Sequence, residues 1–220
     1  QLANVIATGS NAPFYQWGRK DPLYPSNGMG NTTKIWYDKE GIPSTANPMK
    51  GTFSAGNDCI KNCILNPNLM HNRYNGDYTY YNLWSADNKT TSANDNPVNK
   101  TIYDPCPVGF KLPASNAFTG FTTTGESVSS STQVNGTWSS SEKGWYFYTN
   151  SEKTQSIFFP ALGYRSYSTM PGSIGTQGCF WSAHPVAKGN NYYLRTSSVD
   201  VQPTYMVDRG FGYALRPCQD

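Results

Sequence analysis

The closing stretch, residues 178–218, reads GCFWSAHPVAKGNNYYLRTSSVDVQPTYMVDRGFGYALRPC and constrains this chain most. An aromatic frame, CFWS at 179–182 and FGYALRPC at 211–218, encloses a polar filling of mixed chemistry. Rings and β-branched residues in short runs favour strands. Strands framing a chemically permissive segment are suited to a binding face, and the rest of the chain must supply the body behind it. Alternation divides the filling. Tyr192, Leu194 and Thr196 share one strand face; Tyr193, Arg195 and Ser197 share the other. Leu194 is expected in the core, which turns Tyr193 and Arg195 outward. Tyr and Arg are the residue types enriched at binding hot spots. In the last segment Phe211, Tyr213 and Leu215 are expected to face the core together. The loop 184–190 offers His184, Lys188 and Asn190 as adaptable contacts. The long connection 199–208 offers Gln202, Tyr205, Met206 and Asp208.

At 220 residues the chain reads as a single domain covering 1–220, with 1–12 as an entry strand or linker. Charged residues make up only 14%, against a usual value of about 25%. The 15% of aromatic residues, which need burial, argues against disorder. The net charge of +3 is scattered with no basic stripe, which argues against nucleic-acid binding. No run approaches the ~18 apolar residues of a membrane span, so no direct membrane insertion is expected. No charged and apolar leader follows Gln1, so the expectation is a mature form or an excised domain.

Along the chain, residues 14–19 alternate as a short strand ended by Asp21-Pro22, and 34–38 form another. The helix signal is clearest from Asn57 or Asp58, with Ile60, Cys63 and Ile64 on one face and Asn66-Pro67 as its stop. Cys59 and Cys63 lie one turn apart there, a spacing read as burial or disulfide pairing rather than metal binding. The segment 103–113, YDPCPVGFKLP, is too rich in proline for regular structure, with Phe110 and Leu112 as its anchors. A short second helix is expected over 114–118, and a mobile loop over 122–136. Residues 144–149 read as a strand. The run 157–165, IFFPALGYR, reads as a central core segment that Pro160 bends.

Five segments in order, FYQWGRKDP (14–22), TIYDPCPVGFKLP (101–113), FFPALGYR (158–165), CFWSA (179–183) and GYALRPC (212–218), resemble the C-type-lectin-like domains of surface proteins from anaerobic gut bacteria. These include the Fibrobacter major-paralogous (FISUMP-like) domain and lectin-like pilus tips. The resemblance implies an α+β domain in which two helices flank a small twisted antiparallel sheet. It implies an extracellular module at a cell surface or pilus tip that binds a host or bacterial surface protein or glycan, and pilin subunits as further partners. Related retroelement-diversified proteins carry variable ligand contacts inside a similar frame, so diversification of residues 178–218 is a further implication. Cys106 and Cys218, both within the resembling motifs, are the implied disulfide pair.

The chemistry of sites in such domains is poorly matched here. Calcium takes six to eight oxygens, several of them carboxylate, whereas 201–204, VQPT, has an amide and no adjacent acid. Neither a metal nor a cofactor is therefore expected. A formylglycine-generating enzyme on this scaffold would need a reactive late cysteine pair. Cys179 and Cys218 instead sit among aromatic and apolar residues, where an inert thiol is the default. Ser182, His184 and Asp200 or Asp208 could compose a nucleophilic triad only if tertiary structure assembled them. The expectation is a non-enzymatic adhesin domain. A cell-envelope enzyme and a purely structural pilus subunit are the alternatives.

Overall fold

The computed structural model describes residues 13–23, 36–37, 40, 42–46, 52–53, 65–66, 69–71, 82–86, 90–166, 171–186 and 189–220. The chain is mostly β, with 40% of it in strands and 8% helical, in several small antiparallel sheets. Two helices flanking one sheet, as the resemblance implies, is therefore not the architecture. The expected second helix is a 3-10 helix over Ser115–Phe121 with no side-chain cap and no acidic residue in its first turn. Asn116, Thr119 and Gly120 are poor helix formers, and nothing at the start satisfies the orphan N–H groups. The expected helix from residue 57, with Cys59 and Cys63, lies outside the described residues except at its end.

The centre of the molecule is the sheet of Gly178–Pro185, Asn190–Thr196 and Val201–Asp208, with Asn190–Thr196 in the middle. Every residue of Gly178–Pro185 is buried. Successive side chains of a strand point to opposite faces, so both faces must be covered. Phe180 pairs with Leu194 and faces one hydrophobic cluster; Trp181 pairs with Tyr193 and faces a second. The first cluster gathers Trp145, Phe147, Phe159 and Val201 among others. The second gathers Trp17, Trp84, Leu112 and Tyr213.

A second antiparallel sheet, Gly136–Ser139, Gly144–Tyr148 and Ser156–Pro160, covers the first face. Trp145 and Phe147 alternate toward the cluster, and Phe121 stacks on Phe147 with ring centroids 3.9 Å apart. Ser156–Pro160 is the edge of that sheet rather than a central strand. Pro160 has no N–H to donate and so fits the end of an edge strand. The chain then turns at Gly163, whose φ is +74°. A Cβ there would lie 2.2 Å from the Gly172 carbonyl oxygen, so only glycine fits. The 122–136 segment, expected to be mobile, is tied down by bridges from Thr122 to Val134 and from Val128 to Val201.

The final segment joins the layers. Ala214 accepts from the Trp181 N–H and donates to the Cys179 carbonyl, each at 3.1 Å. Gly212–Tyr213 also pairs with Tyr15–Gln16, so the first described strand is held by the chain's end. Tyr213 enters the second cluster as expected, while Ala214 enters the first.

The irregular segment 103–113 is organised by two charges. The Asp104 carboxylate, 2% exposed, accepts from the Cys106 N–H at 2.7 Å and the Leu112 N–H at 3.1 Å. Lys100 Nζ donates to the carbonyls of Cys106, Pro107 and Phe110. Leu112 is buried as expected, but the side chain of Phe110 is 44% exposed rather than a core anchor. The sequence signal was its ring; the carbonyl of Phe110, bound by Lys100, is what holds that position. Asp104→Ala would strand two buried N–H groups and should lower stability by about 2–4 kcal/mol in urea unfolding. A loss below about 1 kcal/mol would show that the clamp does not organise this segment.

Candidate functional site

The geometry of the candidate face is set by a β-bulge. Tyr193 pairs with Tyr205, but Arg195 pairs with Gln202. Pro203 and Thr204 together therefore oppose Leu194, one residue too many for a regular ladder. The extra residue reverses the alternation of Val201–Asp208. Val201 packs in the first cluster, whereas Tyr205, also odd-numbered, lies beside Tyr193 on the opposite face. Met206 opposes Tyr192. Beyond the bulge the strand is partly open to solvent: Tyr205 is 46% exposed and Met206 51%, while Val207 still packs against the second cluster.

Arg195 stands at the root of this segment. Its guanidinium donates to Asp200 Oδ2 at 2.9 Å and to Gln202 Oε1 at 3.3 Å. It also lies 5.9 Å from the centre of the Tyr205 ring. Burial alone would lower the Arg195 pKa, but the Asp200 charge and hydrogen bond outweigh it and raise it. Asp200 is fixed in turn by a tight turn in which its N–H donates to the Ser197 hydroxyl at 3.2 Å. Four groups of different chemistry, a cation, an acid, an amide and a ring, are thus held together and partly open to solvent.

The other sequence-derived candidates separate from this group. Tyr193, expected outward, is 4% exposed and wedged among Trp181, Tyr205 and Tyr213. Both faces of its strand are covered, so alternation could not identify an outward side. Asn190 is half-buried, and its carbonyl accepts from Val186 N–H and Arg209 Nε. Asp208 Oδ1 accepts from the Gly210 N–H at 2.8 Å, shaping the following turn. Lys188 lies outside the described residues.

His184 is fully buried rather than part of a surface loop, because it belongs to Gly178–Pro185. Its Nδ1 accepts from the Ser115 N–H at 3.2 Å, with the Ser115 hydroxyl at the same distance. Burial lowers its pKa, against the opposing influence of the Asn94 and Asn96 backbone and of Asp95. The triad candidates do not assemble. The Ser182 hydroxyl donates to the Tyr192 carbonyl, Asp200 pairs with Arg195, and Asp208 serves its turn. Ser115, the actual neighbour of His184, is separated from it by 69 positions, and no local pattern could pair them.

The implied Cys106–Cys218 bridge is absent: Cys106, Cys179 and Cys218 are free thiols. Cys106 packs in the second cluster, while Cys218 Sγ donates toward the Lys111 carbonyl at 3.5 Å. Burial pushes the Cys179 thiol up to about 12, and burial likewise raises those of Cys106 and Cys218. Among the described residues no group of three or more His, Cys, Asp or Glu side chains could hold a metal ion. No described helix is long and apolar enough to cross a membrane.

No protein-family model, curated protein or solved structure matches the chain.

The buried His184 gives a pH dependence with a definite sign. Its folded-state pKa lies below the unfolded value of about 6.5. The native state therefore binds fewer protons, and stability should be full above that pH and fall as the pH drops through it. Urea midpoints between pH 7.5 and 5.5 should decline in the wild type and decline less in His184→Gln. Parallel slopes would mean that His184 does not carry the effect.

Proposed function

We propose that this chain is a non-enzymatic binding module of a bacterial cell-surface or pilus-tip adhesin, recognising a protein or glycan through the face around Arg195, Gln202, Tyr205 and Met206. The observation that carries this reading is the bulged strand end. Large side chains are exposed there next to a guanidinium already oriented by Asp200. A fixed charge and a ring lose little conformational freedom on binding, which favours affinity. The extracellular setting and the diversification of residues 178–218 belong to the same reading and rest on the sequence resemblance.

The test is a screen of the purified chain on arrays of extracellular-matrix proteins, bacterial surface proteins and glycans. Tyr205→Ala and Met206→Ala follow on any hit. Each should weaken binding about tenfold or more, the range of moderate hot spots, with an unchanged circular dichroism spectrum. Undiminished binding by both variants would remove this face from the proposal.

The raised thiol pKa values support binding over an enzyme built on reactive cysteines, since the thiolate is the nucleophile. Peptide mapping after iodoacetamide treatment of the native protein at pH 8 should leave Cys106 and Cys179 unmodified. Rapid alkylation of either would favour the enzyme.

A further inference from the structure

A cleft of about 540 Å³ is distinct from the candidate face: none of Arg195, Gln202, Tyr205 or Met206 lines it. That volume lies within the usual range for small-molecule sites, about 300–1,000 Å³. Its walls are the rings of Tyr15, Tyr146 and Phe158 and the prolines Pro105, Pro107 and Pro217. Prolines and rings have few rotamers to lose, so the cleft is pre-formed for a ligand. The proline walls are further fixed from behind, where Lys100 binds the carbonyls of Cys106 and Pro107.

Among the described lining residues the polar side-chain groups are few: those of Tyr15, Cys106, Tyr146 and Arg216. The Tyr146 hydroxyl donates its proton to Glu142 Oε2 at 2.8 Å and so is left as an acceptor. The Cys106 thiol, raised by burial, is neutral at physiological pH and presents no negative charge. Among the described lining residues Arg216 is the one cation. Its guanidinium lies 5.1 Å from the centre of the Phe159 ring and, among the described residues, makes no ion pair or hydrogen bond. A half-buried guanidinium is ordinarily matched by a carboxylate or phosphate, because its donors fit those oxygens in pairs. Here no described residue supplies that partner, and apolar walls stand beside the guanidinium.

We propose that this cleft binds an amphipathic monoanion, a carboxylate carrying an apolar chain or ring, with the apolar body against the rings and prolines and the carboxylate on Arg216. Sugars are disfavoured, since a glycan's many hydroxyls would meet walls with almost no donors or acceptors. The site is separate from the adhesin face and does not depend on that reading.

The experiment is calorimetric titration of the purified full chain with decanoate, decanol and decylamine below their aggregation concentrations. Decanoate should bind saturably at one site, at least tenfold more tightly than decanol, with decylamine weakest; a charge-assisted hydrogen bond predicts that order. Arg216→Gln should weaken decanoate about tenfold or more and leave decanol unchanged, while Arg216→Lys should restore part of the loss. Equal binding of the three ligands, or no decanoate binding at 1 mM, would overturn the proposal. The wild-type ligand series decides this even if Arg216→Gln folds poorly.

Discussion

Burial of the strand Gly178–Pro185 on both of its faces is the constraint on which the rest depends. A strand at a sheet surface needs one apolar layer; this one needs two. Phe180 commits one side to the cluster around Trp145, Phe147 and Phe159, and Trp181 commits the other to Tyr193 and Tyr213. The Trp181 indole N–H, buried with its ring, is satisfied by the Tyr15 carbonyl at 2.7 Å. That bond ties the first described strand to the centre, and the Ala214 backbone ties the last segment to the same strand. Rings in such clusters contribute about 0.5–1.5 kcal/mol per pair beyond their area. The Trp181, Tyr193 and Tyr213 group, with two centroid separations of 4.5 Å, is where this contribution concentrates.

The second cluster is roofed by backbone that no regular ladder could hold. The prolines of residues 103–113 remove donors and fix φ, so the remaining N–H and carbonyl groups need other partners. Asp104 takes two of the donors and Lys100 takes three of the carbonyls. The same two charges therefore seat Leu112 in the core and stiffen the proline wall of the cleft beside Arg216. Core packing and site shape are here the product of one local arrangement.

The candidate face arises from a local irregularity in an otherwise tightly specified sheet. Without the extra residue at Pro203 and Thr204, Tyr205 would follow Val201 toward the first cluster. With it, Tyr205 emerges beside Arg195, and the strand end is left open. The surrounding ladder is regular enough to keep Arg195, Asp200 and Gln202 in fixed relation. A face of this kind can vary in its exposed side chains with little consequence for the two cores, which take their residues from the strand interiors.

The sequence by itself determined the strand-rich end of the chain and the burial of Leu194, Tyr213, Leu112 and Cys179, because ring density and alternation are local properties. It also marked Arg195, Tyr205 and Met206 as surface candidates. It misplaced Tyr193 and His184, because alternation assumes one wet face and the two strands that carry them, Gly178–Pro185 and Asn190–Thr196, are covered on both faces. It suggested a second helix where Ser115–Phe121 is a 3-10 helix, and its resemblance-based two-helix fold gave way to a mostly β chain. Only the tertiary structure decided the bulge that turns Tyr205 outward, the pairing of Ser115 with His184, and the placing of Arg216 beside an apolar cleft. Each depends on contacts between segments distant in sequence, and such contacts leave no period or spacing in the chain to be read.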